Sequence, residues 1–292
     1  MRLQLLSDLH LERYPQFKAQ AAPDVDVLIL AGDIGSYQPG SRLETDDFGL
    51  GQFSPLRPDS PWRTVLYVPG NHEYDGLEFA PTRERLKAIC AQLGIIWLEQ
   101  AVYTIGAVRF VGTTLWSDFD AFAAEESNLT RQLQQREKAY RAANFYLRKN
   151  TTLLNGEPML AEAMRELALR CQDWLRQALA EPFDGHTVVV THFAPSLLSA
   201  DPRYGLTPGT AGFCNGLDAL LRHAQLWVHG HLHCPVDYLK RGQHEGQAWQ
   251  CRVAANPRGY VSKGEQDTFV EQFVIDLDLR QRPDTATERG PS

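Results

Sequence analysis

Val65-Leu66-Tyr67-Val68-Pro69-Gly70-Asn71-His72-Glu73 carries an apolar run directly into a tight polar loop. Such a run reads as a buried strand, and the loop at its end is where α/β proteins collect reactive side chains. Asn71 offers a metal a neutral carbonyl oxygen, and His72 can ligate, donate or transfer a proton, so one reading is a hydrolytic site. The other is a plain polar turn, because Gly and Asn are common in short loops for conformational reasons alone. The choice depends on four companion stretches.

The first is Ser7-Asp8-Leu9-His10, directly after the strand-like run at residues 2–6. In extended chain, positions i and i+2 point to one side, so this carboxylate and imidazole can converge on a metal. The alternative is a solvated Asp and a surface His. The second is Ala31-Gly32-Asp33, which closes the run at residues 25–30. Its glycine permits a tight turn and its carboxylate has two oxygens, enough to bridge two ions. Asp33 could instead cap a helix, but the Gly-, Pro- and Ser-rich passage to about Pro61 reads as loop. The third is Thr191-His192 after Thr187-Val188-Val189-Val190, where a lone His is either structural or delivered to the same edge as Asp8, Asp33 and Asn71. The fourth is Leu226-Trp227-Val228-His229 followed by Gly230-His231-Leu232-His233. His231 and His233 repeat the alternate spacing, with Leu232 facing away. His229, inside the strand, is assigned to structure.

Between these stretches the pattern predicts a helix over 81–93, from Pro81 to Gly94, and strands over 95–98 and 102–112 turning at Gly106. From about 120 to 180 the composition becomes helical, in two runs at Arg131–Arg148 and Glu157–Leu179 separated by a turn at Asn155-Gly156. Leu160, Met164, Leu167, Cys171, Trp174 and Leu175 recur every three or four residues, which predicts a packed face rather than a lid. β-like runs near 235–239, 248–254 and 268–276 follow. Residues 280–292 read as a polar, poorly ordered tail. Residues 1–279 are expected to form one α/β domain, with either two packed sheets or one doubly wound sheet.

Composition limits the alternatives. The chain has 292 residues, 43% of them hydrophobic, and a formal charge of −7. It therefore lacks the basic footprint of a protein that grips nucleic acid through phosphates, so a nucleic-acid partner is not expected. The N-terminal apolar run is too short for a signal peptide, and no span suits a membrane helix. Five cysteines are scattered singly, without zinc-knuckle or disulfide spacing, and a cytoplasmic setting is expected.

Asp8-x-His10, Gly32-Asp33, Gly70-Asn71-His72-Glu73, His192 and Gly230-His231-x-His233, in this order at strand ends, resemble the calcineurin-like metallophosphoesterase superfamily. Gly112-Thr113-Thr114-Leu115-Trp116-Ser117-Asp118-Phe119 and Asn256-Pro257-Arg258-Gly259-Tyr260 are similar to segments of a poorly characterised bacterial branch. The resemblance implies a four-layer α/β/β/α sandwich of two mixed sheets. It implies that Asp8, His10 and His233 hold one metal, that Asn71, His192 and His231 hold a second, and that Asp33 bridges them. His72 matches the family's catalytic histidine, beside the leaving group. The family commonly places Gly before the His192 position and often another His after it; Thr191 and Phe193 stand here, so a substrate role for a second histidine at that place is not expected.

Carboxylates and imidazoles without thiolates suit Mn, Fe or Zn. Two such ions about 3.5–4 Å apart can share a water, lower its pKa and hold phosphate oxygens for in-line attack. The expected reaction is attack of a bridging hydroxide on the phosphorus of a small phosphorylated substrate while His72 assists the leaving group. Arg203 and Arg258, each in a Pro-containing loop beside a tyrosine, are candidate phosphate contacts. The alternatives are a nuclease of the same superfamily, an amidohydrolase, or a scaffold without catalysis.

Overall fold

The computed structural model describes residues 1–123 and 126–279, so the expected tail at 280–292 lies outside the described residues. In chain order the elements are β1 (Arg2–Leu6), β2 (Val27–Ala31), β3 (Val65–Val68), α1 (Phe79–Leu93), β4 (Ile96–Trp97), β5 (Ala101–Ile105) and β6 (Val108–Thr113). Then follow α2 (Leu129–Leu147), β7 (Leu153–Leu154), β8 (Glu157–Pro158), α3 (Ala161–Ala180), β9 (His186–Thr191), β10 (Leu226–His229), β11 (Val236–His244), β12 (Gln247–Ala255) and β13 (Val274–Asp276).

Two large sheets form, in the orders β13-β1-β2-β3-β4 and β11-β12-β10-β9-β6-β5. Both are mixed: β1 to β4 run parallel with β13 antiparallel at the edge, while β12, β10, β9 and β6 run parallel with antiparallel β11 and β5 outside them. The sequence left two packed sheets or one doubly wound sheet open, and packed sheets are found.

Alternation explains the layers. Leu3, Leu5, Val27, Ile29, Leu66 and Val68 of one sheet meet Val108, Phe110, Val188, Val190, Leu226 and Val228 of the other in one buried cluster. The opposite faces, including Leu28, Leu30, Tyr67, Val189 and Trp227, join a second cluster with Leu86 and Ile89 of α1 and Leu167, Cys171 and Leu175 of α3. Strands buried on both faces carry continuous apolar runs, as β2 and β9 do.

Several boundaries differ from the sequence reading. The second helical run begins at Ala161 rather than Glu157, because Asn155 (φ 54°) and Gly156 (φ 82°) turn β7 onto β8. The run at 268–276 contributes strand only at Val274–Asp276, preceded by a 3₁₀ turn at Glu265–Thr268. All five cysteines are free, and no described helix is long and apolar enough to cross a membrane.

Leu175 is fully buried where α3 packs on the second sheet. Leu175→Ala should therefore lower unfolding stability by about 2–5 kcal/mol. Chemical denaturation checks this; a loss below about 1 kcal/mol would show that α3 is dispensable to this core.

Candidate metal centre

Five strand ends deliver the candidate residues to one edge. Asp8 and His10 follow β1, Asp33 follows β2, Asn71 and His72 follow β3, His192 follows β9, and His231 and His233 follow β10. The backbone does not bring them together through the extended alternation expected from sequence. Asp8, His10, Asp33, His231 and His233 all have positive φ, from 49° to 74°. Left-handed backbone is unfavourable for these residues, and it persists where surrounding bonds over-determine it. Those bonds are present: Asp8 N–H donates to Gly32 O, His10 N–H to Asp33 O, and His231 N–H to the Asp8 carboxylate. Leu232 does not turn away from the site but lines its cavity beside His231 and His233.

Ligand-type atoms of Asp8, His10, Asp33 and His233 lie within 4.8 Å of one another, as do those of Asp33, His192 and His231. Asp33 is common to both groups. Each imidazole is oriented from behind. His10 Nδ1 lies 3.1 Å from Glu12 Oε1, His233 Nδ1 2.7 Å from Glu265 Oε2, and His192 Nδ1 2.8 Å from the Ala31 carbonyl. With Nδ1 donating, each neutral ring presents an Nε2 lone pair to the site. Yet His10 Nε2 and His233 Nε2 face each other at 3.0 Å, and His192 Nε2 lies 3.2 Å from Asp33 Oδ2. Lone pairs so placed repel unless a cation, either a proton or a metal, lies between them.

A second observation supports the metal alternative. Asp33 Oδ2, Asn71 Oδ1, His192 Nε2 and His231 Nε2 are all buried without a hydrogen-bond partner. Orphaned buried polar atoms are costly, and three of these residues, Asp33, His192 and His231, form one of the groups whose ligand-type atoms lie within 4.8 Å of one another. The donor set fits a pair of cations with mixed oxygen and nitrogen ligands.

Charge organises the surroundings. Burial opposes ionisation of Asp33, but His192 and His72 hold its carboxyl well below the usual range. Burial likewise opposes protonation of His72, but Asp33 and Asp75 push it up to about 10. Burial also lowers His192 and His233, and it is outweighed in each: Asp33 brings His192 to about 9, and Asp8 with Glu265 brings His233 to about 9. His229 behaves as the sequence suggested: its nitrogens meet the Gly230 carbonyl and Ser199 Oγ, both at 2.9 Å, and burial pulls it down to about 4.

The buried Glu73 carboxylate ties the β2 and β3 loops together. It accepts from Gly70 N–H at 2.8 Å, Asp33 N–H at 3.1 Å and Ile34 N–H at 2.7 Å. Gly32, at φ 85°, has no room for a side chain because the His192 ring packs against it. His72 Nδ1 lies 2.7 Å from Asp75 Oδ2, while its Nε2 faces the site, 3.9 Å from Asp33 Oδ2 and 3.5 Å from Tyr260 Oη.

Sequence reasoning missed Glu12, Asp75, Glu265 and Tyr260. Glu12 had a readable signal, since Asp8-x-His10-x-Glu12 continues one alternation. The two arginines fall differently from each other. Arg203 is held by Asp201 at the cavity rim, with contacts of 2.9 and 2.6 Å, and reaches the His233 carbonyl at 3.4 Å. Arg258 lies over the Tyr14 and Phe17 rings and donates to the Leu9 carbonyl, so its guanidinium is already engaged.

A cavity of about 750 Å³ opens over Asp33, His72, His231 and His233. Its far walls come from α2, through Lys138, Ala142 and Tyr146, and from the 201–213 loop. The helical segment read as a packed layer is thus also a wall of the site. The passage at 195–215 supplies another, as its length and composition suggested.

The sequence model of the family described as calcineurin-like phosphoesterase matches residues 1–235. The chain is 24% identical over 302 residues to the uncharacterised protein L509 of Acanthamoeba polyphaga mimivirus, covering 94% of this chain and 96% of that protein. Among solved structures it resembles the phosphopantetheinyl hydrolase of Mycobacterium tuberculosis, with a TM-score of 0.64 and 21% identity over 96% of this chain and 98% of that one. At that identity the likeness concerns the fold.

The raised histidines give a test on metal-free protein. Their folded values, about 9 to 10, exceed the ordinary 6.5, so their contribution to stability is complete below about 6.5 and is lost as pH rises through 9–10. Chelated protein should show a falling unfolding temperature from neutrality into that range. Metal addition at neutral pH should release protons. An unfolding temperature that stays flat or climbs over the same window would contradict the proposed charge arrangement.

Proposed function

We propose how this chain, which belongs to the calcineurin-like phosphoesterase family and is a metal-dependent phosphoesterase, performs its hydrolysis. Asp8, His10 and His233 would hold one cation and Asn71, His192 and His231 a second, with Asp33 shared between them. The observation that carries this reading is that Asp33 belongs to both groups whose ligand-type atoms lie within 4.8 Å of one another, with buried atoms of Asp33, Asn71, His192 and His231 left unpartnered. When bound, a pair of divalent or trivalent cations such as Mn, Fe or Zn supplies Lewis acidity for the phosphoryl oxygens and activates the attacking water.

The remaining work belongs to side chains. Asp33 sets the spacing of the two halves, because one carboxylate serves both. Glu12, Glu265 and the Ala31 carbonyl fix the ring orientations and tautomers of the histidines they face. His72 delivers a proton to the departing alkoxide from Nε2 while Asp75 holds Nδ1. Two neighbouring carboxylates, Asp33 and Asp75, favour its charged form, which an acid needs at neutral pH. Tyr260 flanks the same nitrogen and stacks on His10 with ring centroids 4.3 Å apart, narrowing access for water.

The substrate is a small phosphorylated molecule rather than a nucleic acid strand. The walled cavity of about 750 Å³ and the acidic balance of −7 favour this over an open, basic groove. The structural neighbour is named a phosphopantetheinyl hydrolase, and a phosphopantetheinyl ester belongs in the first substrate panel for this chain.

Asp33→Asn should weaken both metal sites together and abolish most activity. Elemental analysis that finds both metals retained with unchanged turnover would refute the bridging role. His72→Ala should leave metal content nearly intact and lower kcat by ~10²–10⁴-fold for alkyl phosphoesters, the usual worth of a positioned acid. The loss should be smaller for nitrophenyl esters, whose leaving group departs without a proton. Equal losses on both substrate types would remove His72 as the donor.

A further inference from the structure

A second compartment, of about 280 Å³, opens beside the first and reaches the metal centre at Asn71, His72 and His231. The two share His72 and His231 at the candidate metal centre and Ala142, Tyr146, Gly209 and Phe213 along the wall, so they adjoin. Their chemistry differs. The larger one has Lys138, Lys263, Asp201 and Glu265 around it. The smaller is walled by Phe119, Ala143, Leu147, Met164, Phe193 and Phe213.

Polar groups at the floor of the smaller compartment are engaged with one another. Asn150 Nδ2 donates to Asp75 Oδ2 at 2.9 Å and to Gln38 Oε1 at 2.7 Å, and Thr151 Oγ1 donates to the Met159 carbonyl at 3.2 Å. What is left for a ligand is mainly apolar surface. Its walls come from β9's end, α2, α3 and the 208–212 turn, so the helical segment builds it as much as the strands do.

On the basis of the hydrolytic reading above, we propose that this compartment binds a compact apolar ester arm. Burial of an alkyl arm here should raise affinity, because apolar surface leaves water.

The test uses n-alkyl(methyl)phosphinate anions, R(CH3)PO2, whose two P–C bonds resist hydrolysis. Calorimetry on metal-loaded protein gives a readout independent of turnover. Phosphinate affinity should rise roughly three- to fourfold per methylene until the compartment is full. Ala143→Leu, which projects a larger side chain into this compartment alone, should flatten that rise. Gly212→Ala is a milder second variant: an added Cβ would sit 3.6 Å from Phe119 and 3.9 Å from Ala143, so it narrows the space without a clash. Thermal unfolding confirms that both variants fold.

Affinity independent of chain length in the parent, or an undiminished rise in both variants, overturns the pocket. Graded phosphinate binding by protein that cleaves none of the matching nitrophenyl esters with any added metal refutes the catalytic reading and retains the pocket.

Discussion

The buried carboxylate of Asp33 is the constraint on which the rest depends. A charge removed from water at the junction of two sheets is costly unless cations surround it. The imidazoles that face it come from β1, β3, β9 and β10, so both sheets must end at the same edge. The loops must then adopt left-handed backbone at Asp8, His10, Asp33, His231 and His233. Small residues at Gly32, Gly70 and Gly230 are required because a Cβ at each would collide with Asp8, Asp33 or His192. Without charge compensation at the centre, these unfavourable loop conformations would have no return.

The strand ends were legible in sequence because apolar runs buried on both faces stop abruptly at Asp, Asn or His. The seven proposed ligands stand at or just beyond those ends, and it was the resemblance carried by their order that assigned them to metals. What was not legible was the backbone that joins them. Alternation in extended chain pointed to residues 8, 10, 231 and 233, which the structure brings to one edge through left-handed loops instead. Arg258 illustrates a further limit. A guanidinium beside a tyrosine in a loop can grip phosphate or lie on aromatic rings, and only tertiary structure brings Tyr14 and Phe17 to it.

The segment Asn256-Pro257-Arg258-Gly259-Tyr260 shows how a distant stretch joins the centre. Arg258 N–H donates to the Ser7 carbonyl at 3.1 Å and Gly259 N–H to the Asp8 carbonyl at 2.9 Å, which lays the segment along the β1 loop. Tyr260 then covers His10, and Glu265 Oε2, which accepts from Tyr260 N–H at 2.8 Å, reaches His233. Two histidines of the candidate metal centre, far apart in sequence, are thereby contacted by one C-terminal loop.

The helical segment is tied to the reactive loop as well as to the cavity. Its strand-like part pairs with the chain following His72: Gly76 N–H donates to the Thr151 carbonyl at 2.9 Å and Leu153 N–H to the Leu77 carbonyl at 2.8 Å. Asn150 meanwhile holds the same Asp75 carboxylate that lies against His72 Nδ1. A movement of α2 that widened or narrowed the substrate space would therefore pull on Asp75 and turn the His72 ring. The placement of the proposed proton donor and the shape of the substrate wall are thus mechanically one feature, which is why neither could be read from the strand-end motifs alone.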